Sequence, residues 1–181
     1  MLAIAKKFEE EGFTCSLIKA GSDGVTPFDQ LFILMESKTQ EVQARLELMK
    51  IPDASGEDIY QFVMPLAAGI NGERFADVSR LLLFINEQLP LLGFGLNEAH
   101  ALVYFKSMLP VEGNAIPHTV LIKTARLIYT FARIFEAPIL QLANDRITHT
   151  QAVEMVKGLL QKATAAKALD DLYKKASASD T

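Results

Sequence analysis

The sequence predicts an α+β fold, a two-layer sandwich with a mainly antiparallel sheet of about six strands. The predicted order is α-β-β-β-β-α-β-β-α, followed by an additional C-terminal helix. Four β-prone segments follow one another in the first third of the chain with short polar connections, which favours an antiparallel meander. Two later segments carry apolar residues every three or four positions, as amphipathic helices do, and a second hairpin separates them. At 181 residues the chain is long enough to bury a full core.

The first predicted element is a helix from Leu2 to Glu11, which Gly12 ends. Strands are predicted over Phe13 to Ala20 and over Phe28 to Glu36, the second of them so apolar that we expect cover on both faces. Alternation of apolar and polar residues predicts two more strands. They run from Val42 to Leu48 and from Tyr60 to Met64, where Pro65 should end the strand.

The second half of the chain is predicted to be mainly helical. Asn71 and Gly72 open a helix that Pro90 ends. A hairpin follows, with strands from Leu91 to Leu96 and from Ala101 to Leu109. Pro117 is placed for the first turn of a long helix, which Pro138 should kink or end near Ala137. Its predicted apolar stripe consists of Val120, Leu121, Thr124, Leu127, Ile128, Phe131, Ile134 and Phe135.

Thr148 or Thr150 can cap a last helix. The apolar face of this helix should comprise Val153, Val156, Leu160, Ala163, Leu169 and Leu172. Its alanines, its lysine pairs and the Ser/Asp ending predict a frayed C-terminus. We therefore expect an α+β domain over residues 1–145, with residues 146–181 forming a helix and a tail.

Composition limits the classes of partner and the compartment. The chain has 18 basic and 22 acidic side chains and no Lys/Arg cluster, so we expect no nucleic-acid binding. Its apolar runs are far shorter than the ~20 residues of a spanning helix, so we expect no membrane insertion. The apolar start Met1–Ala5 precedes Lys6 and Lys7, the reverse of the order in a secretory signal. The single cysteine, Cys15, excludes an internal disulfide and indicates a reducing cytoplasm.

The residues that usually carry chemistry are scattered. His100, His118 and His149 cannot share a helix face, and we expect them to be exposed near turns and helix starts. Cys15 has no neighbouring histidine and is expected to be an inert thiol. The segment Gly93-Phe94-Gly95 lies in a predicted strand, so we interpret its glycines as sites of close packing and not as a nucleotide loop. The sequence therefore predicts no catalytic residue, no metal and no cofactor.

The second hairpin is apolar on both predicted faces. Its two strands include Phe94 and Leu96, then Leu102 and Tyr104. If helices cover only one face of the sheet, apolar residues on the other face mark a surface that a partner covers. We therefore take these four residues as candidate partner-binding residues. The alternative is that the long helix and the last helix cover both faces.

The order of elements is similar to that of the YbjN-like family, which shares its fold with the type III secretion chaperones. The resemblance covers approximately Leu2 to Leu142. It is carried by Arg80 to Phe84 with Ile85 and Leu89, by the hairpin from Gly93-Phe94-Gly95-Leu96 to Tyr104-Phe105, and by Leu109-Pro110 before the long helix.

This resemblance implies an acidic, cytoplasmic, commonly dimeric bacterial protein with an α+β sandwich and no enzyme active site. The type III chaperones hold an extended client segment against apolar patches, and YbjN-like members are described as sensory or regulatory proteins. The helix from Thr150 onward departs from the pattern. It could cover a surface that the chaperones leave open.

Three functions follow as hypotheses. The first is a non-enzymatic protein-binding module, chaperone-like or regulatory, that holds an extended peptide or a second copy of itself, with a homodimer as the expected state. The second is a small-molecule sensor or enzyme whose pocket between sheet and helices is lined by Tyr60, Tyr104, Arg126 and Tyr129. The third is an obligate dimer subunit of a larger assembly.

Overall fold

The computed structural model describes residues 1–22, 27–37, 40–52, 58–89, 93–111 and 117–162, with only the backbone described between 36 and 43. The helices are α1 (Leu2–Glu10), α2 (Phe75–Asn86), α3 (His118–Ala143) and α4 (149–162). The strands are β1 (Thr14–Ile18), β2 (Gln30–Ser37), β3 (Gln40–Pro52), β4 (Asp58–Ala68), β5 (Phe94–Asn97) and β6 (Leu102–Val111). Short 3₁₀ turns, Gly72–Arg74 and Glu98–His100, precede α2 and β6.

The strands form one antiparallel sheet in the order β1-β2-β3-β4-β6-β5. This confirms the predicted α+β sandwich with six strands. Helices pack against one face of the sheet, and alternate residues of the central strands are therefore buried. Leu31, Ile33, Leu46, Leu48, Phe62 and Phe105 on this face are all fully buried. We call it the helix face.

Side-chain caps form at the 3₁₀ turn before α2 and at the start of α4. The Asn71 side chain accepts a hydrogen bond from the amide of Glu73 at 3.1 Å, just before α2. At the start of α4, Thr148 and Gln151 form a reciprocal pair, in which each side chain accepts from the other's backbone amide. The first part of the expected C-terminal appendage belongs to the main core, since Ala152 of α4 is fully buried in it. The predicted face residues Ala163, Leu169 and Leu172 lie outside the described residues.

Pro65 does not end its strand as predicted, and the helix that Pro138 was expected to kink or end does not end there. Strand β4 continues through Pro65 to Ala68, with a register irregularity between Pro65 and Ala67 that removes the need for a ladder donor at the proline. Helix α3 continues through Pro138 to Ala143. An interior proline costs about 3 kcal/mol, and burial of Ile139 and Leu142 offsets it by roughly 1.5–3 kcal/mol each.

The predicted stripe of α3 was partly wrong. Val120, Leu127 and Ile134 are 40%, 47% and 37% exposed, whereas Ala125 and Ala132 are buried. The alanines let the helix backbone approach the sheet closely, so the buried arc passes through them and the larger residues turn outward. Leu121, Thr124, Ile128 and Phe135 are buried as predicted.

Other boundaries moved by a few residues. Helix α2 ends at Asn86, one turn before the predicted stop at Pro90, and Pro117 caps α3 without entering it. Residues 91 and 92 of the predicted hairpin strand lie outside the described part. Within the described ranges, no helix combines the length and the apolar character needed to cross a membrane.

Candidate functional site

The four candidate partner-binding residues lie on two different faces. Phe94 and Leu96 pair with Phe105 and Val103, both of which are fully buried on the helix face. Phe94 is 5% exposed, and its ring packs edge to face against the rings of Phe105 and Phe135. The distances between ring centres are 4.9 and 6.1 Å. Phe94 is therefore a core residue.

Leu96 packs partly buried against the same core. The burial of Phe94 contradicts the surface role predicted for it, whereas Leu96 stays partly accessible on the helix face. They face inward because alternate residues of a strand share a face.

Leu102 and Tyr104 project to the opposite side of the sheet, and both are only partly buried. We call this side the open face. Its residues on the long strands alternate with the buried ones, and none of them is buried. The open face comprises Thr14, Ser16, Ile18, Gln30, Phe32, Leu34, Arg45, Glu47, Met49, Ile51, Ile59, Gln61, Val63, Pro65, Leu102, Tyr104, Lys106 and Met108. Most of these side chains are apolar.

Strand pairing arranges the open face in rows that cross the sheet. The central row is Phe32, Glu47, Val63 and Lys106, one from each of β2, β3, β4 and β6. A neighbouring row is Gln30, Met49, Gln61 and Met108. On the other side, Leu34 pairs with Arg45, and Pro65 pairs with Tyr104, which pairs with Gly95. The surface thus extends without interruption across the four longest strands.

Charge on this face is sparse and partly neutralised. A guanidinium nitrogen of Arg45 lies 2.7 Å from a carboxylate oxygen of Glu47, and the guanidinium carbon lies 4.7 Å from the centre of the Phe32 ring. Lys106 forms no ion pair within the part of the chain that the structure describes. The face therefore offers dispersion and hydrophobic contact with one ion pair and one additional cation.

The glycines beside this face permit close packing, as the sequence predicts. A Cβ atom at Gly95 would lie 2.7 Å from the Cζ atom of Tyr104, so the tyrosine ring lies directly on the glycine. A Cβ atom at Gly93 would lie 2.0 Å from Oδ1 of Asn86. A hollow of about 320 Å³ lies at the β5–β6 end of the open face, lined by both glycines and by Asn86, Tyr104, Lys106 and Met108.

The pocket proposed for a small molecule is not assembled. Tyr60 is 8% exposed on the helix face, whereas Tyr104 lies on the open face. Arg126 is exposed on α3, where it pairs with Glu11 at 2.7 Å. Residues on opposite faces of a sheet cannot line one cavity between the sheet and the helices. The hydroxyl of Tyr129 is buried without a hydrogen-bond partner in the described part.

Cys15 lies beside α1 in a groove that Leu2, Ala5 and Leu17 also line. Burial raises the pKa of its thiol to about 11, and the negative charge of Glu9 adds to the effect. This supports the prediction of an unreactive thiol.

The histidines lie apart, as their spacing predicts, but only one of the three is exposed as expected. His100 is exposed, whereas His118 and His149 are half-buried at the first residues of α3 and α4. Nε2 of His149 is buried without a hydrogen-bond partner among the described residues. Within those residues, no group of three His, Cys, Asp or Glu side chains is placed to hold a metal ion.

Sequence reasoning missed most of the open face. The apolar run of β2 predicted cover on both faces, but Phe32 and Leu34 are only partly buried, so that prediction was wrong. The available signal was that β2 and β4 carry apolar residues at both odd and even positions, which predicts two apolar faces. In β4, for example, Ile59 and Val63 alternate with buried residues. Which parity the helices cover depends on tertiary packing.

Comparison with protein-family models and with curated proteins finds no match to this chain.

Proposed function

We propose that the protein is a non-enzymatic protein-binding module, of a chaperone-like or regulatory kind, that works through the open face in a reducing cytoplasm. The observation that supports the proposal most directly is the broad, mainly apolar surface across β2, β3, β4 and β6, none of whose residues is buried. A sheet of this kind is stable in water with one polar face, and an apolar one is usually covered. The resemblance of residues 2–142 to a chaperone-like fold points the same way.

The size of the open face fits a binding surface. Strands lie about 4.8 Å apart and alternate residues about 6.8 Å apart, so four strands and four rows give roughly 500 Å² of projected area. Apolar patches of about 300–600 Å² on single chains are often functional. About a third of its positions carry polar or charged side chains, so at about 25 cal/mol per Å² covering the apolar part gains roughly 8 kcal/mol, and association costs about 4–15 kcal/mol. The surface therefore suits a specific partner of moderate affinity.

Site-specific photo-crosslinking in the cells that make the protein tests this proposal. A photoreactive residue replaces Val63 or Met108 on the open face, and in matched controls it replaces Ala76 on α2 or Lys123 on α3, which are exposed. We expect discrete polypeptide adducts from the open-face positions and not from the controls.

A charge on the face should abolish these adducts. Met49→Glu places a carboxylate in the row beside Val63, whereas the matched Leu83→Glu lies on the exposed side of α2. We expect Met49→Glu to suppress the Val63 adducts and Leu83→Glu to leave them. Absence of adducts at the open face, or equal adducts at the controls, would contradict the proposal.

A further inference from the structure

The hollow at the β5–β6 end of the open face combines a cation with groups that attract aromatic rings. We propose that it is an anchor site, and that its occupant is a polypeptide segment that places an aromatic ring in the hollow and a carboxylate against the ammonium group of Lys106. This inference rests on the proposed function and names the chemistry of the partner that the open face binds.

Lys106 carries the one charge on the open face that no described residue balances. Arg45 and Glu47 pair with each other at 2.7 Å, and the guanidinium of Arg45 also lies over the Phe32 ring. The Lys106 ammonium forms no ion pair with any described residue. Lys106 pairs with Val63 in the sheet register, so it lies in the central row of the face. The face is therefore positively charged at this point.

A partner that covers the central row must also cover Lys106. Covering a charge without a counter-charge removes its hydration and provides no compensating interaction, which is strongly unfavourable. A carboxylate of the partner removes this penalty, whereas a cation of the partner would add repulsion. The charge of Lys106 therefore selects between partners more than it raises the affinity for any of them.

Three side chains around the hollow favour an aromatic ring over an aliphatic group. Tyr104, Lys106 and Met108 are alternate residues of β6, so all three project from the same face. A ring in the hollow can pack against the ring of Tyr104, the ammonium group of Lys106 and the sulfur of Met108. Each of these is a specific attraction for aromatic rings, whereas an aliphatic side chain gains from burial alone.

The hollow has room for one large side chain, and its walls are held in place. Its volume of about 320 Å³ equals that of roughly ten water molecules at ~30 Å³ each. The Tyr104 ring lies directly on Gly95, and two hydrogen bonds to the backbone of Phe94 hold the Asn86 side chain. Groups that are ordered before binding lose little conformational freedom when a partner arrives. Pockets that take one bulky side chain carry a large share of the binding energy in many protein interfaces.

Selection from a phage-displayed library of short random peptides on the full chain tests the inference. We expect the wild-type protein to enrich peptides in which Phe, Tyr or Trp stands close to Asp or Glu. Lys106→Glu should weaken such a peptide by about tenfold or more, and exchange of the peptide's acidic residue for Lys should restore binding to this variant. Lys123→Glu, an exposed charge reversal on α3, should leave binding unchanged.

A matched pair of methionines tests the hollow separately from the charge. Met108 lines the hollow, whereas Met49 lies in the same row of the open face on β3, two strands away. Met108→Ala should weaken the selected peptide by about fivefold or more, and Met49→Ala by less than about twofold. Urea denaturation shows that each variant is folded before its binding is measured.

Three results would overturn the inference. They are a selection that enriches no aromatic residue beside an acidic one, selected peptides that bind Lys106→Glu as tightly as the wild type, and an open-face adduct made of two copies of this chain. Crosslinks from Val63 separate this failure from failure of the proposed function. Adducts with another polypeptide, together with either of the first two results, would refute the anchor site and keep the binding module. A protein with neither adducts nor enriched peptides would refute both.

Discussion

The side chain of Asn86 makes, at the outer edge of β5, the hydrogen bonds that a further strand would otherwise make. Its side-chain nitrogen donates to the carbonyl of Phe94 at 2.8 Å, and its side-chain oxygen accepts from the Phe94 amide at 2.7 Å. These are the two bonds that a neighbouring strand would make. Phe94 itself is buried, so its backbone groups have little access to water. Leaving a buried polar group without its partner costs about 1–3 kcal/mol.

Asn86→Ala should therefore lower the free energy of unfolding by about 2–4 kcal/mol, since two backbone groups lose their partner. Urea denaturation followed by circular dichroism measures it, with an unchanged slope showing that only stability has changed. The matched control is Asn144→Ala, which removes one exposed bond from Asn144 to the carbonyl of Leu140. We expect it to cost less than about 1 kcal/mol.

A double-mutant cycle with Gly93 tests the mechanism. A Cβ atom at Gly93 would lie 2.0 Å from Oδ1 of Asn86, so Gly93→Ala must displace the Asn86 side chain and break the same two bonds. Each single variant should cost about 2–4 kcal/mol, and the double variant should cost no more than either one. The coupling should thus be about 2 kcal/mol or more. Additive costs would refute the reasoning that Asn86 stabilises the protein through Phe94.

Three further predictions concern the turns, a helix start and the thiol. Ala101 has a φ of +48°, so Ala101→Gly should raise the free energy of unfolding by about 0.5–1 kcal/mol and raise the thermal midpoint with it. Gly69 has a φ of +74°, so Gly69→Ala should lower both quantities. Thr148→Ala removes the cap of α4 and should cost about 1 kcal/mol in urea denaturation, and a cost near zero would contradict the capping role. Because the pKa of Cys15 is raised to about 11, its thiol stays protonated at pH 8. Its reaction with an aromatic disulfide should be at least tenfold slower in the native than in the urea-unfolded protein, and the rate should keep rising to about pH 11. A native rate that levels off near pH 8.5 would contradict this.

Features set by neighbouring residues in the chain were predictable from the sequence. Alternation predicted the strands β3 and β4, and capping chemistry predicted that Asn71 opens the turn leading into α2 and that Thr148 is one of two candidate caps of α4. The hydrogen bonds of a cap join residues two or three positions apart, so the local sequence specifies them.

Features that depend on distant packing were not predictable. The extension of β4 past Pro65 depends on its pairing with β6, which lies about forty residues later in the chain. The predicted contact surface placed Phe94 and Tyr104 together, yet the helices cover one parity of the hairpin and leave the other open. Alternation of residue types shows that a strand has two faces. Which face the helices cover depends on contacts with residues distant in the chain.

The two outermost strands are also the shortest, since β1 has five residues and β5 has four, whereas β3 has thirteen. Lateral growth of the sheet by recruitment of further chains, the route to fibrils, has little template at these margins. Association through the sheet face is different, because the described sheet has one broad apolar face that helices do not cover. A single partner bound there would cover that face completely. Growth by stacking therefore has no second surface of this kind, within the described sheet, on which to continue.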